Sequence, residues 1–139
     1  MRVRAFEDSD TQSVVELWQQ CDLTVPWNDP HKDIQRKIQQ GRDLFLIGTV
    51  DGQVMACIMG GYEGHRGWIN YLAVHPDHRR GGYGKQLVEA LEAKLLALGC
   101  PKINLQIRQG NQAVQAFYES LGFTDDHVMS MGKRLIPDV

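Results

Sequence analysis

The chain has 139 residues, of which 42% are hydrophobic and 23% charged, and its formal net charge at pH 7 is −2. This length predicts a single domain, residues 1–139, with a composition typical of a soluble globular protein. The absence of a broad basic excess argues against a nucleic-acid partner. No apolar run approaches the length of a membrane span and the first residues do not resemble a signal peptide. We therefore expect a cytoplasmic protein with no membrane partner.

The three cysteines, Cys21, Cys57 and Cys100, are widely spaced, and no Cys-x-x-Cys pair occurs. An odd number of isolated cysteines predicts reduced thiols rather than a disulfide framework. The same spacing gives no metal site, so we expect no metal cofactor.

The first third of the chain alternates short apolar segments with turn signals. A strand is predicted over Met1–Phe6, followed by a helix from about Asp10 to Cys21 whose apolar residues recur at helical spacing. Asp29 followed by Pro30 predicts the start of a second helix that runs to about Gln40. Trp27 lies in the proline-bounded loop between the helices, where packing on the core and lining a substrate cleft are about equally expected.

Three strands are predicted in the middle of the chain. Leu44–Val50 and Gln53–Tyr62 flank Asp51 and Gly52, a strong hairpin turn. A further strand covers Trp68–Val74.

The second half predicts two helices and three strands. A helix runs from about Gly82 to Leu98 and is followed by a strand over Lys102–Arg108. Asn111 caps the last helix, and two closing strands are expected, one from Phe123 onward and one over Val128–Ile136. The order β-α-α-β-β-β-α-β-α-β-β predicts a mixed α/β sheet with helices on both faces.

The segment between the Trp68–Val74 strand and the following helix has the composition of an anion site. Free amides at a helix N-terminus and the helix dipole favour negative charge there, and Arg79, Arg80 and Lys85 add positive charge. Lys85 is not followed by Ser or Thr, which excludes a P-loop. Leu87 stands where a dinucleotide fingerprint needs its third glycine. The segment therefore predicts a phosphate-bearing ligand of another class.

Two motifs resemble those of the GNAT superfamily of N-acetyltransferases. The first is R-x-x-G-x-G over Arg79–Gly84, after Leu72-Ala73-Val74-His75-Pro76. The second is the closing signature around Ala116–Phe123, with Tyr118 followed by Gly122-Phe123. The order of elements also resembles the GNAT fold, so the resemblance covers nearly the whole chain. The Pro26–Pro30 segment is further similar to that of the YpeA-like bacterial subgroup.

The resemblance implies a sheet of six to seven strands and a site for acetyl-CoA as cosubstrate. Backbone amides from about Arg80 to Lys85 would hold the pyrophosphate, the pantetheine arm would run beside Leu72–Val74, and an amide near Leu72 would polarise the thioester carbonyl. Tyr118 would be the general acid; its alternative role is that of a core tyrosine. Asn111 would contact the pantetheine as well as cap its helix. The implied cofactor-binding residues are Leu72, Ala73, Val74, Arg79, Arg80, Gly81, Gly82, Tyr83, Gly84, Lys85 and Asn111.

The general base is not identified by the sequence. Two branches of the family place a glutamate at positions that Trp68 and Gln106 occupy here. Glu63, His65, Tyr71 or a water chain remain as candidates.

We therefore expect an N-acetyltransferase that acts on a primary amine, of a small molecule or a peptide. The alternative is a non-catalytic acyl-CoA-binding regulatory module on the same fold, because fold alone does not fix function. The resemblance also leaves a homodimer open, since many members of the family dimerise. The acceptor, the acyl-chain length and the oligomeric state are not determined by the sequence.

Overall fold

A computed structural model describes residues 1–139 and contains five strands and four α-helices, together with two short 3-10 turns. The strands are β1 (Arg2–Ala5), β2 (Phe45–Val50), β3 (Gln53–Tyr62), β4 (Gly67–Val74) and β5 (Ile103–Leu105). The helices are α1 (Thr11–Gln20), α2 (Pro30–Gln40), α3 (Tyr83–Ala97) and α4 (Gln112–Ser120). These bounds confirm the predicted order of the first nine elements to within a few residues.

The strands form one mixed sheet in the order β1-β2-β3-β4-β5. The first four strands are antiparallel neighbours, and β5 pairs with β4 in parallel. A parallel pair needs a long crossover between its strands, which α3 supplies here. The predicted mixed sheet with helices on both faces is confirmed.

The two faces of the sheet carry separate cores, because successive side chains of a strand point to opposite faces. On one face α1 and α2 contribute Val14, Trp18 and Ile34 to a cluster with alternate residues of the strands. On the other face α3 and α4 contribute Leu87, Leu91 and Tyr118 to a second cluster. The face of α1 predicted from apolar spacing is the face that the structure buries.

Local capping explains where the helices begin. The Asp29 carboxylate accepts hydrogen bonds from the amides of His31 and Lys32, and Pro30 stands at the first helical position of α2. Asn111 caps α4 in the same way, with its side chain accepting from the Val114 amide at 3.2 Å. Both starts agree with the sequence prediction.

The two predicted closing strands are wrong. Residues after Leu121 form neither helix nor strand, and the sheet has five strands instead of six to seven. A strand needs a neighbour at about 4.8 Å to accept its backbone hydrogen bonds. The C-terminal segment instead contacts the chain of β5 through side chains, Lys102 with Asp126 and Gln106 with Ser130. The sequence predicted strands there, but no segment of this chain pairs with them.

No helix of the chain is both long and apolar enough to cross a lipid bilayer. All three cysteines are free thiols, as predicted. Burial raises the pKa of the Cys57 thiol to about 12, so this sulfur remains protonated in the core.

Candidate active site

A β-bulge interrupts β4 at Tyr71 and Leu72. Met59 of β3 pairs with Asn70 and Cys57 pairs with Ala73, so two residues of β4 lie opposite one residue of β3. Tyr71 has φ +50°, a left-handed conformation that is strained for a residue with a bulky side chain. Bulges of this kind re-aim side chains and often lie beside active sites.

Strands β4 and β5 separate just before this bulge. Their pairing ends at Ile69 and Leu105, and Leu72, Ala73 and Val74 have no partner strand on the β5 side. The backbone edge of β4 is therefore free for an extended ligand from Leu72 onward. The Val74 carbonyl is engaged, because it accepts from Arg79 Nε and from Cys21 Sγ, each at 3.3 Å.

The segment that follows delivers the N-terminus of α3 to the same end of the sheet. Gly82 precedes the helix with φ +78° and offers no side chain to cap it. The first helical hydrogen bond of this turn runs from the Gln86 amide to the Gly82 carbonyl at 3.0 Å. The amides of Tyr83, Gly84 and Lys85 have no backbone partner, and free amides at a helix start favour an anion.

Close packing holds this helix start against the rest of the site. A Cβ atom at Gly84 would lie 3.1 Å from Phe117 Cζ of α4 and 3.7 Å from Val74 Cγ2 of β4. Only glycine lets α3 approach both elements so closely without a shift of the Phe117 ring. The glycine of the motif is therefore explained by packing as well as by ligand access.

Tyr118 lies on α4 with its ring in the core between α3, α4 and the sheet. The side chain is 6% exposed and makes edge contacts with Phe117 and Phe123. Burial alone raises the pKa of its hydroxyl to about 12, and no hydrogen bond to another residue contributes. The structure thus provides a protonated phenol whose hydroxyl is uncommitted within the chain.

The structure brings several of the predicted site residues together and separates others. Leu72, Val74 and Tyr83 pack against the core cluster to which Tyr118 belongs. Ala73 points to the opposite face of the sheet, into the cluster of α1 and α2, so only its backbone faces the free edge. The predicted loop and helix-start residues Arg79, Arg80, Gly81, Gly82, Gly84 and Lys85 follow β4 directly, and Asn111 caps α4.

Two of the base candidates lie at the wrong end of β4. Glu63 and His65 precede the start of the strand at Gly67, and the strand from Gly67 to Leu72 spans roughly 17 Å. The Glu63 carboxylate also accepts hydrogen bonds from the amides of Arg66 and His65, and these bonds hold the pKa of Glu63 below its usual range. The structure therefore does not bring Glu63 or His65 to the bulge.

Tyr71 is held at the bulge by contacts that no sequence pattern indicated. Its ring stacks on Trp18 with 3.9 Å between ring centroids, and its hydroxyl donates to Asp33 Oδ2 at 2.6 Å. Burial and the Asp33 carboxylate together raise the pKa of the Tyr71 phenol well above its usual range. Asp33 is separated from Tyr71 by 38 positions, so only the folded chain pairs the two.

The α1–α2 face around Tyr71 carries further polar groups. Lys37 Nζ donates to the Gly60 carbonyl, and its half-buried position lowers the pKa of the ammonium group. Trp27 is 53% exposed in the loop between α1 and α2, which excludes the core role considered for it. This face therefore carries an exposed indole in the α1–α2 loop and a half-buried ammonium group at Gly60 of β3.

The C-terminus closes over the start of α2. The Asp138 side chain is fully buried and accepts from the Asp29 amide and from Arg36 Nη2, each at 2.8 Å. These bonds lower the pKa of the Asp138 carboxyl, the amide bond contributing most. A second contact joins Arg134 to Asn28 of the loop. The last residues thus fix the loop that carries Trp27.

Comparison with known protein families gives a match over most of the chain. The family model described as Acetyltransferase (GNAT) family matches residues 12–123. A protein from Sodalis glossinidius named Acetyltransferase SG1711 is 51% identical over 139 residues, covering 99% of this chain and 98% of its own.

Solved structures share the fold. Ard1 from Thermoplasma volcanium superposes with a TM-score of 0.80 at 26% identity, covering 88% of this chain and 82% of its own. The aminoglycoside N-acetyltransferase AAC(6')-Iy, solved in complex with CoA, has a TM-score of 0.73 at 19% identity and covers 96% of this chain and 99% of its own. These similarities confirm the predicted fold class, with the lower strand count described above.

Proposed function

Because the chain belongs to the GNAT family of acetyltransferases, we propose that it transfers an acetyl group from acetyl-CoA to a primary amine. The observation that carries the proposal is the uncapped start of α3, directly after the free edge of β4. One element offers amides for a pyrophosphate and the other offers a backbone edge for an extended pantetheine arm.

The cosubstrate would occupy the predicted residues in chain order. The amides from about Arg80 to Lys85 would hold the pyrophosphate, with Arg79 kept at the end of β4 by its bond to the Val74 carbonyl. The free edge of Leu72–Val74 would pair with the pantetheine arm, and Asn111 would approach it from the start of α4. The bulge would aim an amide near Leu72 at the thioester carbonyl, where negative charge develops during attack.

The chemical step would be direct attack of the neutral amine on the thioester carbon. The new C–N bond forms as the C–S bond breaks, the departing thiolate takes a proton from the Tyr118 hydroxyl, and the proton that the amine nitrogen loses passes, directly or through water, to the Tyr118 phenolate. A pKa of about 12 keeps that hydroxyl protonated at neutral pH. A positioned acid of this kind typically accelerates a reaction about 10²- to 10⁴-fold.

The acceptor would reach the thioester from the α1–α2 face. An alkylammonium group has a pKa of about 10.4, so it must lose a proton before it can attack. The Tyr71–Asp33 pair is the polar group beside the bulge that supports this role, in place of Glu63 and His65. The Asp33 carboxylate, held in place by the Tyr71 hydroxyl, would attract the ammonium group and, directly or through water, would accept its proton.

The decisive experiment is release of free CoA thiol from acetyl-CoA, measured across a panel of amines. The panel contains N-terminal peptides, polyamines, aminoglycosides and small metabolite amines. We expect thiol release that depends on one amine class and yields the acetylated amine by mass spectrometry. Binding of acetyl-CoA without thiol release by any amine would instead favour the non-catalytic acyl-CoA-binding module. No binding of acetyl-CoA by the folded protein would overturn both hypotheses.

A further inference from the structure

Asp138 carries a buried carboxylate that no step of the proposed reaction uses. Its side chain is fully buried, and a charge in such a position is costly unless hydrogen bonds and ion pairs compensate it. The Asp29 amide donates to one carboxylate oxygen and Arg36 Nη2 donates to the other, each at 2.8 Å. Arg134 Nη1 lies 3.8 Å from the oxygen that Arg36 uses. Asp138 therefore holds the Arg36 guanidinium by a direct, charge-assisted hydrogen bond.

Arg36 has a second carboxylate within reach, that of Asp33. The two residues are three positions apart on α2, and side chains at this spacing are neighbours on one helix face. Arg36 Nη1 lies 3.6 Å from Asp33 Oδ1, which is an ion-pair distance but too long for a hydrogen bond. The Arg36 side chain is 47% exposed, so it has room to turn. One cation thus lies between two carboxylates, and Asp138 receives its hydrogen bond.

Asp33 is the carboxylate that the acceptor amine would meet. Asp33 Oδ2 accepts from the Tyr71 hydroxyl at 2.6 Å, whereas Oδ1 accepts no hydrogen bond from the chain. The Asp33 side chain is 24% exposed, so a ligand can reach it. Arginine and carboxylate groups favour a two-pronged pair that engages both oxygens. A guanidinium bound in this way would occupy Oδ1 and compete with the Tyr71 hydroxyl for Oδ2.

We propose that Asp138 is a positioning residue of the acceptor site, which holds Arg36 by a hydrogen bond and so keeps the Asp33 carboxylate open to the ammonium group of the acceptor. This role rests on the proposed acetyl transfer, in which Asp33 attracts the ammonium group and accepts its proton. Without the charge of Asp138, the guanidinium turns to Asp33 and competes with the acceptor for the same oxygen.

A second buried carboxylate of the molecule shows an ion pair that has no such competitor. Arg4 Nη1 and Nη2 donate to the two oxygens of Asp10 at 2.7 and 2.8 Å, and the Asp10 side chain is 7% exposed. No second carboxylate lies within 4.0 Å of the Arg4 guanidinium. This pair joins β1 to the turn before α1, so it provides the matched control for loss of a buried carboxylate.

The test compares Asp138→Asn with the double variant Asp138→Asn/Arg36→Gln by amine-dependent release of CoA thiol. The asparagine oxygen can still accept from the Asp29 amide, and the backbone carbonyl of residue 138 still accepts from Lys32 Nζ. We expect the single variant to raise KM for the amine roughly tenfold, and the double variant to return it to within about threefold of the wild type. Acetyl-CoA affinity should not change in either variant.

Restoration by a second substitution separates this role from a merely structural one. If Asp138 acted only by fixing the loop before α2, loss of Arg36 as well would deepen the defect. A double variant as impaired as Asp138→Asn, or more so, would therefore overturn the proposal. Asp10→Asn should lower the melting temperature and leave KM for the amine unchanged. A rise in this KM equal to that of Asp138→Asn would also overturn the proposal, because destabilisation alone would then explain it.

Crystal structures of the wild type and of Asp138→Asn test the same step without activity. We expect Arg36 on Asp138 in the wild type and in hydrogen-bond contact with Asp33 in the variant. Arg36 turned away from Asp33 in the variant would overturn the proposal, even if the wild type is an active acetyltransferase. A wild type that releases no thiol with any amine would overturn the proposed function and this role with it, so the two failures are distinguishable.

Discussion

The two faces of the sheet build their parts of the site in different ways. On the α3–α4 side, the groups proposed for the cosubstrate are mostly main-chain atoms from one continuous run, Leu72–Lys85. On the α1–α2 side, the site is made of side-chain pairs from distant positions, such as Tyr71 with Asp33 and Asp138 with Arg36. A site made of backbone atoms is compatible with many different side chains, whereas a site made of side chains depends on the identity of each residue.

This difference suggests a division of tasks between the faces. A backbone site for the proposed cosubstrate can stay the same when side chains change, while the side-chain face can change with the acceptor. In this chain the two faces meet at the β4 bulge, where Leu72 packs on one core and Tyr71 on the other. Substitutions on either side should therefore affect one substrate and spare the other.

The largest expected effect comes from removal of the Tyr118 hydroxyl. We expect Tyr118→Phe to lower kcat about 100-fold or more, because the thiolate then leaves without its proton donor. The affinity for acetyl-CoA and the melting temperature should change little, since the ring packing is kept. Steady-state kinetics with Tyr62→Phe as the matched control check this, and a variant with full kcat on its true acceptor would rule out the acid role.

The next effect tests the backbone site on the α3 side. Gly82→Glu puts a carboxylate at the proposed pyrophosphate position, where two unit charges about 4 Å apart interact by roughly 4 kcal/mol near a protein surface. We expect acetyl-CoA to bind roughly 100-fold more weakly by calorimetry. Gly99→Glu is the matched control, because Gly99 also has positive φ but lies at the other end of α3. Equal affinities for the two variants would place the cosubstrate elsewhere.

A smaller effect is expected on the α1–α2 side. Asp33→Asn and Tyr71→Phe each weaken or remove the hydrogen bond at the bulge, and each should lower kcat/KM for the amine roughly tenfold. Acetyl-CoA affinity should stay near that of the wild type. The double variant should lose little more than either single variant, because both act through one contact. Additive losses, or a parallel loss of acetyl-CoA binding, would contradict a role in acceptor handling.

The smallest effect concerns pH. Because burial raises the pKa of Tyr118 to about 12, its ionisation should not limit the rate below pH 10. In the unfolded chain a tyrosine loses its proton near pH 10, so the folded state binds the extra proton between about pH 10 and 12. Stability should therefore fall as the pH rises through this window. Thermal unfolding of the wild type should show this loss, and Tyr118→Phe should show less of it.

Sequence patterns were sufficient for the elements whose signals are local. The caps at Asp29 and Asn111, the hairpin at Asp51-Gly52 and the uncapped start of α3 all depend on residues within one or two turns of each other. The predicted cosubstrate residues other than Asn111 lie in one such run. The prediction of the closing strands failed for the opposite reason, since a strand depends on a distant partner that the residues of Val128–Ile136 do not specify.

What the amino-acid sequence determined by itself is the order of the first nine elements, the two helix-bearing faces and the loop that begins α3, because spacing and turn chemistry act over short distances. Only the tertiary structure decided that Tyr71 lies on a bulge against Trp18 and Asp33, and that Asp138 holds the loop before α2. These contacts join residues far apart in the chain, and their geometry is fixed by the packing of whole helices on the sheet.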